Sequence, residues 1–357
     1  MVTIKDIARI AKVSPGTVDR VLHNRGGVSK KTSDKIKRIF KEYNFEVNQI
    51  ASTLARQKKY NLCTLIPKHD DQNLFWKSPL MGVNKAAKEV KNYGVIVTNY
   101  IYDQDNPLDY LKQFDKLLLS KPKVVIMVPT FIEETRLVVS KLKERGIAYA
   151  FLNIDVEGFS NITFIGQDSY KSGYLAGKLM HSGLGKCSCL TVQTRLSNHN
   201  YYVTTKRLEG FNDFFKDNNI PINTLNVKIQ DLNDLEVIQK KINNLLRKDV
   251  NIKGLFVPTS RVAIIANCIE PMRLRKLRLI GYDTTPQNIA CLNNDKVTFL
   301  ISQKSFDQGY KAIQRMTSYL IKSIDPLPKY LAPIDIITKE NLEFNFRDKN
   351  NGWYGNN

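Results

Sequence analysis

The first 45 residues follow a helical pattern of hydrophobic and polar positions. Apolar residues recur at i, i+3, i+4 spacing in three segments, namely Ile4, Ile7, Ala8 and Ala11; Val18, Val21 and Leu22; and Ile36, Ile39, Phe40 and Tyr43. Ser14 and Ser29 precede the second and third segments as N-caps, and Pro15 takes the first helical position. Only Lys12 and Val13 separate the first two helices, which favours a helix-turn-helix.

A shorter helical segment follows at 48–56. Asn48 can cap a helix that carries Ile50, Ala51, Leu54 and Ala55. Such a helix has about two turns and is marginal alone in water. We therefore expect it to fold only against a partner, and residues 57–60 to form a polar joint.

From Asn61 onward, short apolar runs alternate with helical stretches. The runs are NLCTLI, GVIVTNYI, KVVIMVP and IAYAFLNI, with helical stretches around 79–93, 107–120 and 132–145, and the scheme restarts with CSCLTVQ, TLNVKI, GLFVP and LRLIGYD. Runs rich in Val, Ile and Leu between helices predict parallel sheets covered on both faces. We expect two α/β lobes, each with a doubly wound parallel sheet, and a ligand cleft at the carboxyl ends of the strands.

These patterns predict four regions. They are an all-α helix-turn-helix headpiece over 1–47, a short helix and linker over 48–60, a two-lobed core over 61–345 and a polar tail over 346–357. Lobe 1 is predicted to span about 61–168 and 302–328, and lobe 2 about 169–301 and 329–345. The chain would then cross between the lobes several times.

The charge of the chain adds a class of partner. Its formal net charge is +20, and residues 1–60 hold fourteen Lys or Arg against five Asp or Glu, a net +9. Such a field attracts polyanions, although a solvated basic surface would have the same composition. No apolar run reaches the roughly 18 residues of a membrane span, and the charged start is unlike a signal peptide, so we expect a cytoplasmic protein without membrane contact.

The residues that hold metals or cofactors are sparse. Five cysteines form no CxxC pair and four histidines are scattered, so we expect free buried thiols, no metal site and no cofactor. The sequence contains no GxxxxGK[ST], GxSxG or HExxH motif, and the GLGK at 183–186 is too short for a phosphate loop. We therefore predict that the protein is not an enzyme.

The headpiece motifs resemble a known family. IKDIARIAKVSPGTVDRVLHN, VS at 28–29 and NQIASTLA at 48–55 resemble the DNA-binding headpiece of the LacI/GalR family of bacterial transcription regulators. The lobes that follow resemble that family's effector core, which has the fold of type I periplasmic binding proteins. The resemblance implies a homodimer that binds double-stranded operator DNA and a small-molecule effector.

Carried over position by position, the resemblance implies a set of DNA contacts. They are Ser14, Thr17 and Asn24 on phosphates, Arg20 at base edges, and the hinge-helix residues Asn48, Ala51 and Leu54, of which Leu54 would wedge into the minor groove. Pro15 and Gly16 depart from the family where many members read bases. Asp19 is a further departure; it would orient Arg20, accept from a cytosine amino group or repel phosphate.

The effector site is predicted from strand ends and from the resemblance. Arg207 and Asp283 match ligand-binding positions, and Asp168 follows a strand and precedes a helix. One arginine and two aspartates suit the paired hydroxyls of a sugar. Further candidates are Phe75 and Trp76, which would stack on a sugar ring or pack in the core, and Asn153, Thr259, Ser260 and Gln303, placed only by their position after strands.

We therefore predict a transcription repressor whose ligand closes the lobes and changes the spacing of two hinge helices. Two alternatives stay open. A regulator with a purine corepressor would use the aromatic pair to stack a base, and a solute-binding component of a transporter would keep the core without the switch.

Overall fold

The structure is a computed structural model of the chain, and it describes residues 4–22, 25–43, 45, 59–70, 73–182, 184, 188–194 and 202–345. The chain divides into two compact units, Met1–Lys58 and Lys59–Asn357. We name the first unit the headpiece and the second the core, and each has its own hydrophobic interior. The predicted hinge helix at 48–56 and the predicted tail at 346–357 lie outside the described residues.

The headpiece has the three predicted helices, α1 (Ile4–Ala11), α2 (Pro15–Leu22) and α3 (Lys30–Glu42). Their apolar faces meet in one cluster, in which Ile7, Val18 and Ile36 are fully buried. Lys35 on α3 donates from Nζ to the carbonyl oxygen of Ala11, 3.0 Å away, and so satisfies a carbonyl at the end of α1. Each helix is short, and the shared interior supplies the stability that none has alone.

Serine side chains begin the second and third helices. The backbone N–H of Thr17 donates to Ser14 Oγ at 3.2 Å, and the N–H of Thr32 donates to Ser29 Oγ at the same distance. Each bond satisfies a backbone donor that has no partner inside its helix. The predicted caps at Ser14 and Ser29 are therefore present.

The core contains two six-stranded sheets. The first is built from β1 (Tyr60–Pro67), β2 (Val95–Tyr102), β3 (Val124–Met127), β4 (Ala148–Leu152), β5 (Thr163–Gly166) and β11 (Lys329–Leu331), in the order β11-β5-β4-β3-β1-β2. The second is built from β6 (Ser188–Thr194), β7 (Asn223–Ile229), β8 (Ile252–Phe256), β9 (Arg278–Tyr282), β10 (Phe299–Ser302) and β12 (Asp335–Ile337), in the order β12-β10-β9-β8-β6-β7. Lobe 1 is formed around the first sheet and lobe 2 around the second.

Helices connect the strands and cover the sheets. They are α4 (Lys77–Val90), α5 (Pro107–Leu119), α6 (Ile132–Glu144), α7 (Ser169–His181), α8 (Tyr202–Asp217), α9 (Leu235–Lys248), α10 (Val262–Asn267), α11 (Pro271–Leu274), α12 (Pro286–Asn293) and α13 (Ser305–Lys322), with short 3₁₀ turns at Leu74–Trp76, Lys91–Tyr93 and Glu343–Asn345. Helices α4 and α13 pack together in lobe 1, and α7 and α8 in lobe 2. The predicted two-lobed α/β core is confirmed.

Two features of the last crossover were not predicted. We predicted that the chain leaves lobe 1 at about Pro328, and β11 pairs in parallel with β5, so lobe 1 extends to Leu331. Strand β12 then pairs antiparallel with β10, so the second sheet is not wholly parallel. Both strands have three residues at a sheet edge, which is too short to produce a recognisable hydrophobic pattern.

The two lobes repeat one plan. Strands β2-β1-β3-β4-β5 and β7-β6-β8-β9-β10 follow the same order. The sequence QDSYKSG after β5 and the sequence QKSFDQG after β10 share their glutamine, serine and glycine positions, and each starts a helix that enters the other lobe. Residues after equivalent strands therefore face each other across the space between the lobes.

Glycines at equivalent positions bring the helix pairs into close contact. A Cβ on Gly173 of α7 would lie 1.9 Å from the carbonyl oxygen of Arg207 on α8, and a Cβ on Gly309 of α13 would lie 2.1 Å from that of Pro79 on α4. Such approaches are open only to glycine. In lobe 2 this contact brings α7 directly against the backbone of Arg207 on α8.

Candidate functional site

The exposed surface of α2 carries the described residues expected to face DNA. Ser14 and Arg20 are exposed and Thr17 is half-buried. The Ser14 and Thr17 hydroxyls lie 2.9 Å apart, so the two candidate phosphate contacts are held together at the start of the helix. A helix N-terminus with hydroxyls beside it is a suitable site for a phosphate oxygen.

Asp19 has a partner next to this surface. Its carboxylate lies 3.4 Å from Nη1 of Arg25 in an exposed ion pair. The pair links the end of α2 to the turn that follows it. The other predicted DNA contacts, Asn24, Asn48, Ala51 and Leu54, lie outside the described residues.

Helix α3 adds positive charge to the headpiece. Its exposed positions include Lys30, Lys31, Lys37, Arg38 and Lys41. Exposed cations attract a polyanion at long range without selecting a sequence. The described headpiece therefore combines a general electrostatic attraction with one exposed arginine on the helix expected to read bases.

The core holds a cavity between its lobes, at the carboxyl ends of the strands. Counted together with the solvent in its open mouth, the space is about 870 Å³. Eight of the nine predicted effector residues line it: Phe75, Trp76, Asn153, Arg207, Thr259, Ser260, Asp283 and Gln303.

Hydrogen-bonded polar side chains at the cavity connect the two lobes. Asn153 follows β4 and donates from Nδ2 to Oε1 of Gln303 at 3.4 Å and of Gln308 at 3.1 Å. Gln303 in turn donates from Nε2 to both carboxylate oxygens of Asp283, at 3.1 and 2.9 Å. Asp283 follows β9, the strand of lobe 2 equivalent to β4. Gln303, on the crossover between β10 and α13, therefore bridges the two lobes.

Asn153 and Asp283 adopt the same strained backbone conformation. Their φ angles are 68° and 66°, in the left-handed region that asparagine and aspartate tolerate better than most residues. The N–H of Asn153 donates to Ile165 and that of Asp283 to Ile301, each on the next strand of its sheet. These turns direct one polar side chain of each lobe into the cavity.

Arg207 is the buried cation of the site. It is only 3% exposed, its Nη1 donates to the carbonyl oxygen of Pro258 at 2.9 Å, and its guanidinium carbon lies 3.6 Å from the ring centroid of Tyr282. Its Nε has no hydrogen-bond partner among the described residues. Burial lowers the pKa of Arg207, with Tyr282 and Asp283 acting in the opposite direction, and the group remains a cation.

Asp283 is the carboxylate of the site. Burial raises its pKa from 3.8 to about 6, and this rise is opposed by the charge of Arg207 and by the hydrogen bonds from Gln303. The carboxylate is therefore ionised at pH 7 at a cost in stability. A buried charge kept at such a cost is typical of a functional site.

Lobe 1 supplies an aromatic wall. Phe75 and Trp76 are almost fully buried and pack edge to face, with ring centroids 4.9 Å apart. Trp76 Nε1 donates to Oε1 of Gln104 at 3.2 Å, which fixes the indole. Thr130 lies beside them, and its hydroxyl is 2.6 Å from that of the buried Tyr102. The wall can pack on the apolar face of a ring-shaped ligand.

Asn288 positions the loops that carry the lobe 2 residues. It is fully buried, and its Nδ2 lies within 2.8 to 2.9 Å of the carbonyl oxygens of Ser260, Tyr282 and Asp283. One side chain thus ties together the segments after β8 and β9.

Asp168 does not join the other predicted residues. It is the N-cap of α7, and its Oδ1 accepts from the N–H of Lys171 at 2.8 Å. An acidic residue between a strand and a helix satisfies both patterns, and here it caps the helix and is not among the described residues that line the cavity. That Asp168 contacts the effector stays a prediction.

The sequence prediction missed several lining residues. They are Asn73, Gln104, Pro129, Thr130, Ile132, Ile154, Thr194, Tyr202, Val203, Thr204 and Arg261. Gln104, Thr130 and Thr194 lie at or just after the ends of β2, β3 and β6, so the rule that placed Thr259 would have found them. Arg261 directly follows the predicted Thr259 and Ser260.

The described residues hold no group of three or more His, Cys, Asp or Glu side chains arranged for a metal ion. The described cysteines, Cys63, Cys189, Cys268 and Cys291, are buried free thiols. In the described part of the chain, no helix is long and apolar enough to cross a membrane.

Two family models match the chain. Residues 3–48 match "Bacterial regulatory proteins, lacI family", and residues 63–323 match "Periplasmic binding protein domain". The second match covers most of the chain and both lobes.

Two curated relatives match over nearly their whole length. The chain is 24% identical to catabolite control protein A of Priestia megaterium, covering 90% of this chain and 93% of the relative. It is 24% identical to the ribose operon repressor of Lactococcus lactis, covering 96% and 98%.

Solved structures resemble the core. A putative LacI transcriptional regulator from Bacteroides fragilis has a TM-score of 0.74 at 23% identity, covering 80% of this chain and 99% of that one. A glucose-galactose binding protein from Geobacillus stearothermophilus has a TM-score of 0.67 at 21% identity, covering 80% and 99%. At these identities the likeness shows the fold.

Proposed function

The chain belongs to the LacI family of bacterial regulatory proteins and contains a periplasmic binding protein domain, and on this basis we propose that it is a transcription repressor controlled by a small hydroxylated molecule such as a sugar. The observation that carries the proposal is the presence, in one chain, of a basic helix-turn-helix headpiece and a two-lobed core with a polar cavity.

The headpiece residues have separate roles in this proposal. Arg20 donates to guanine O6 and N7 in the major groove, because its planar fork matches that pair of acceptors. Ser14 and Thr17 hold the start of α2 against a phosphate. Exposed lysines on α3 add affinity that falls as salt rises.

The cavity residues divide the effector between the lobes. Asp283 accepts hydrogen bonds from hydroxyl groups, Arg207 donates to ring or hydroxyl oxygens, and Phe75 with Trp76 packs on the apolar face of the ligand. Asn153 and Gln303 respond to closure of the lobes, because the hydrogen bond between them already links the lobes. Ligand binding would therefore favour one relative position of the lobes.

We propose that the working unit is a cytoplasmic homodimer on a two-fold operator. The motif NQIASTLA at 48–55 supports this through its resemblance to the family's hinge helix, in which Leu54 matches the residue that wedges into the minor groove. Two such segments would pair, each stabilising the other. A change in lobe position then alters their spacing and the affinity for DNA.

The DNA-binding part is tested by selecting duplexes from a random library with the full chain. The selected duplex and a scrambled one are then titrated by fluorescence anisotropy. Arg20→Ala should reduce the discrimination between them by about 1–3 kcal/mol per half-site, because a bidentate base contact is lost. Arg9→Ala is the matched control, since it removes one exposed charge from α1.

For Arg9→Ala, we expect both duplexes to be bound more weakly by a similar factor. Equal losses of discrimination in the two variants would contradict the role of Arg20. Failure of the library to yield any preferred sequence would contradict the repressor itself.

The effector part is tested by thermal shift of the full chain with neutral sugars, sugar acids, sugar phosphates and purines. A ligand at 100 times its dissociation constant adds about 2.7 kcal/mol of stability. Hydroxylated compounds should stabilise the protein and Arg207→Ala should remove the effect. Stabilisation by purines alone would support the regulator with a purine corepressor instead.

A further inference from the structure

Three short crossovers connect the lobes. The first, 167–168, leads from β5 of lobe 1 to α7 of lobe 2, and the second, 303–304, leads from β10 of lobe 2 to α13 of lobe 1. The third, 332–334, joins β11 to β12. A change in the relative position of two rigid lobes is absorbed by the residues that connect them, so these segments form the hinge of the core.

Gln167 in the first crossover is hydrogen-bonded to both of the others. Its Nε2 donates to the carbonyl oxygen of Ser302 at 3.0 Å, where the second crossover begins, and to that of Pro333 in the third at 2.8 Å. Because both acceptors are carbonyl oxygens, the amide nitrogen must face them, and its two N–H groups serve one each. One side chain therefore joins all three crossovers.

The environment of Gln167 indicates that these two bonds are the reason for an amide at this position. The residue is only 3% exposed, and its Oε1 is buried without a hydrogen-bond partner among the described residues. A buried acceptor without a partner costs stability, and an apolar side chain of the same size would not incur that cost. The two donated bonds offset it.

The bond to Ser302 also connects the hinge to the cavity. The carbonyl group of Ser302 belongs to the peptide that continues into Gln303, and the side chain of Gln303 contacts Asp283 and Asn153. Gln167 and Gln303 occupy equivalent positions in the repeated plan of the lobes. One of the two glutamines thus faces the cavity, whereas the other binds the crossovers.

Other contacts join the crossovers only in pairs. The N–H of Ala332 donates to the carbonyl oxygen of Gly166 at 2.6 Å, which links the third crossover to the start of the first. Lys304 Nζ lies 2.7 Å from a carboxylate oxygen of Asp335, which links the second crossover to the end of the third. These bonds bring the segments together, and Gln167 adds the link between the first and the second.

We propose that Gln167 is a positioning residue that makes the three crossovers move as one hinge and holds the ligand-free lobes in a narrow range of relative positions. A displacement of Gln303 by a ligand would then reach the third crossover through Ser302 and Gln167. The inference goes beyond the proposed function, because it concerns the movement of the lobes whatever the effector is.

The test measures the distance between the lobes in the full chain without ligand. Spin labels are attached to cysteines introduced at the exposed positions Lys143 of α6 in lobe 1 and Lys178 of α7 in lobe 2. A Cys187→Ser background is used, since the other four cysteines are buried. Double electron–electron resonance then gives the distribution of distances between the labels.

Two variants assign the width of this distribution to Gln167. Gln167→Met keeps the size of the side chain and removes both bonds, so the distribution should become about two-fold wider. Asn243→Leu is the matched control. Asn243 is 4% exposed, and its Nδ2 donates to the carbonyl oxygens of Gln239 and Cys268 at 2.8 and 2.9 Å, all within lobe 2. Both variants should lower the Tm, but the control should leave the width unchanged.

The outcomes decide the role of Gln167 independently of any effector. A wider distribution in Gln167→Met alone supports the hinge. An unchanged distribution in Gln167→Met overturns the proposal, and so does equal widening in both variants, which would show a general loosening of the fold. Gln167→Asn, one methylene shorter, replaces the methionine variant if that variant does not fold, and the same results support or overturn the proposal.

Discussion

Replacing Asp283 with asparagine should stabilise the ligand-free protein at neutral pH. Asp283 is 6% exposed, and burial raises its pKa from 3.8 to about 6 despite the nearby Arg207. The folded protein therefore binds the Asp283 proton more tightly than the unfolded chain does. The resulting stabilisation is fully present below about pH 4 and is lost as the pH rises through about 6.

The size of the effect follows from the two pKa values. A rise from 3.8 to about 6 corresponds to a loss of about 3 kcal/mol once the pH exceeds 6. Asparagine carries no charge at any pH, so the variant does not undergo this loss. At about 2 °C per kcal/mol for a chain of this size, the Tm of the variant should gain about 6 °C on wild type between pH 4 and pH 7.5.

The assay is thermal unfolding of both full-length proteins across that pH range in buffer without sugars. The measurement at pH 4 is the internal control, because both side chains are then neutral. A Tm difference that stays constant with pH would refute the argument, as would a variant less stable than wild type at pH 7.5. Effector binding should be lost in the same variant, since asparagine cannot supply the charged acceptor.

Leu54→Ala should leave base discrimination unchanged but weaken DNA binding, and it should reduce the bend of a selected duplex in a circular-permutation assay, because the apolar wedge is removed. An unaltered bend would show that 48–56 is a plain linker. Gly173→Ala should weaken effector binding by ten-fold or more and cost about 1–3 kcal/mol of stability, because the added Cβ would lie 1.9 Å from the carbonyl oxygen of Arg207 and push α8 away. Gly309→Ala makes the equivalent clash in lobe 1 and should cost similar stability with a smaller loss of binding, and equal losses of binding in the two variants would contradict the positioning of Arg207 by Gly173.

Hydrophobic periodicity predicts most of this fold because most elements are long enough to show a pattern and are buried in the same way along their length. The three headpiece helices each bury one face, and central strands such as β3 and β4 are buried on both faces, so their patterns are strong. Strands β11 and β12 were not predicted, because three partly exposed residues at a sheet edge produce no recognisable pattern. For the same reason the pattern did not indicate that lobe 1 continues to Leu331.

The candidate site was predictable wherever position along a strand decides it. Asn153, Thr259 and Gln303 were placed by their position after strands, and all three line the cavity. Asp168 also follows a strand, but it caps a helix. A ligand-binding aspartate and an N-cap aspartate have the same local sequence pattern, so the sequence does not distinguish them. Arg261 is the opposite case, a lining residue that was not predicted. Its side chain reaches the cavity from a loop whose path only the tertiary structure reveals.

The measurement that tests the account most directly is the affinity of the full chain for its selected duplex with and without a saturating effector found in the thermal-shift screen. Anisotropy at fixed salt should show the dissociation constant for DNA changing by at least five-fold in wild type. It should show no change in Arg207→Ala, which keeps the headpiece intact. An operator affinity that is the same with and without bound effector in wild type would contradict the claim that this chain couples its cavity to its headpiece.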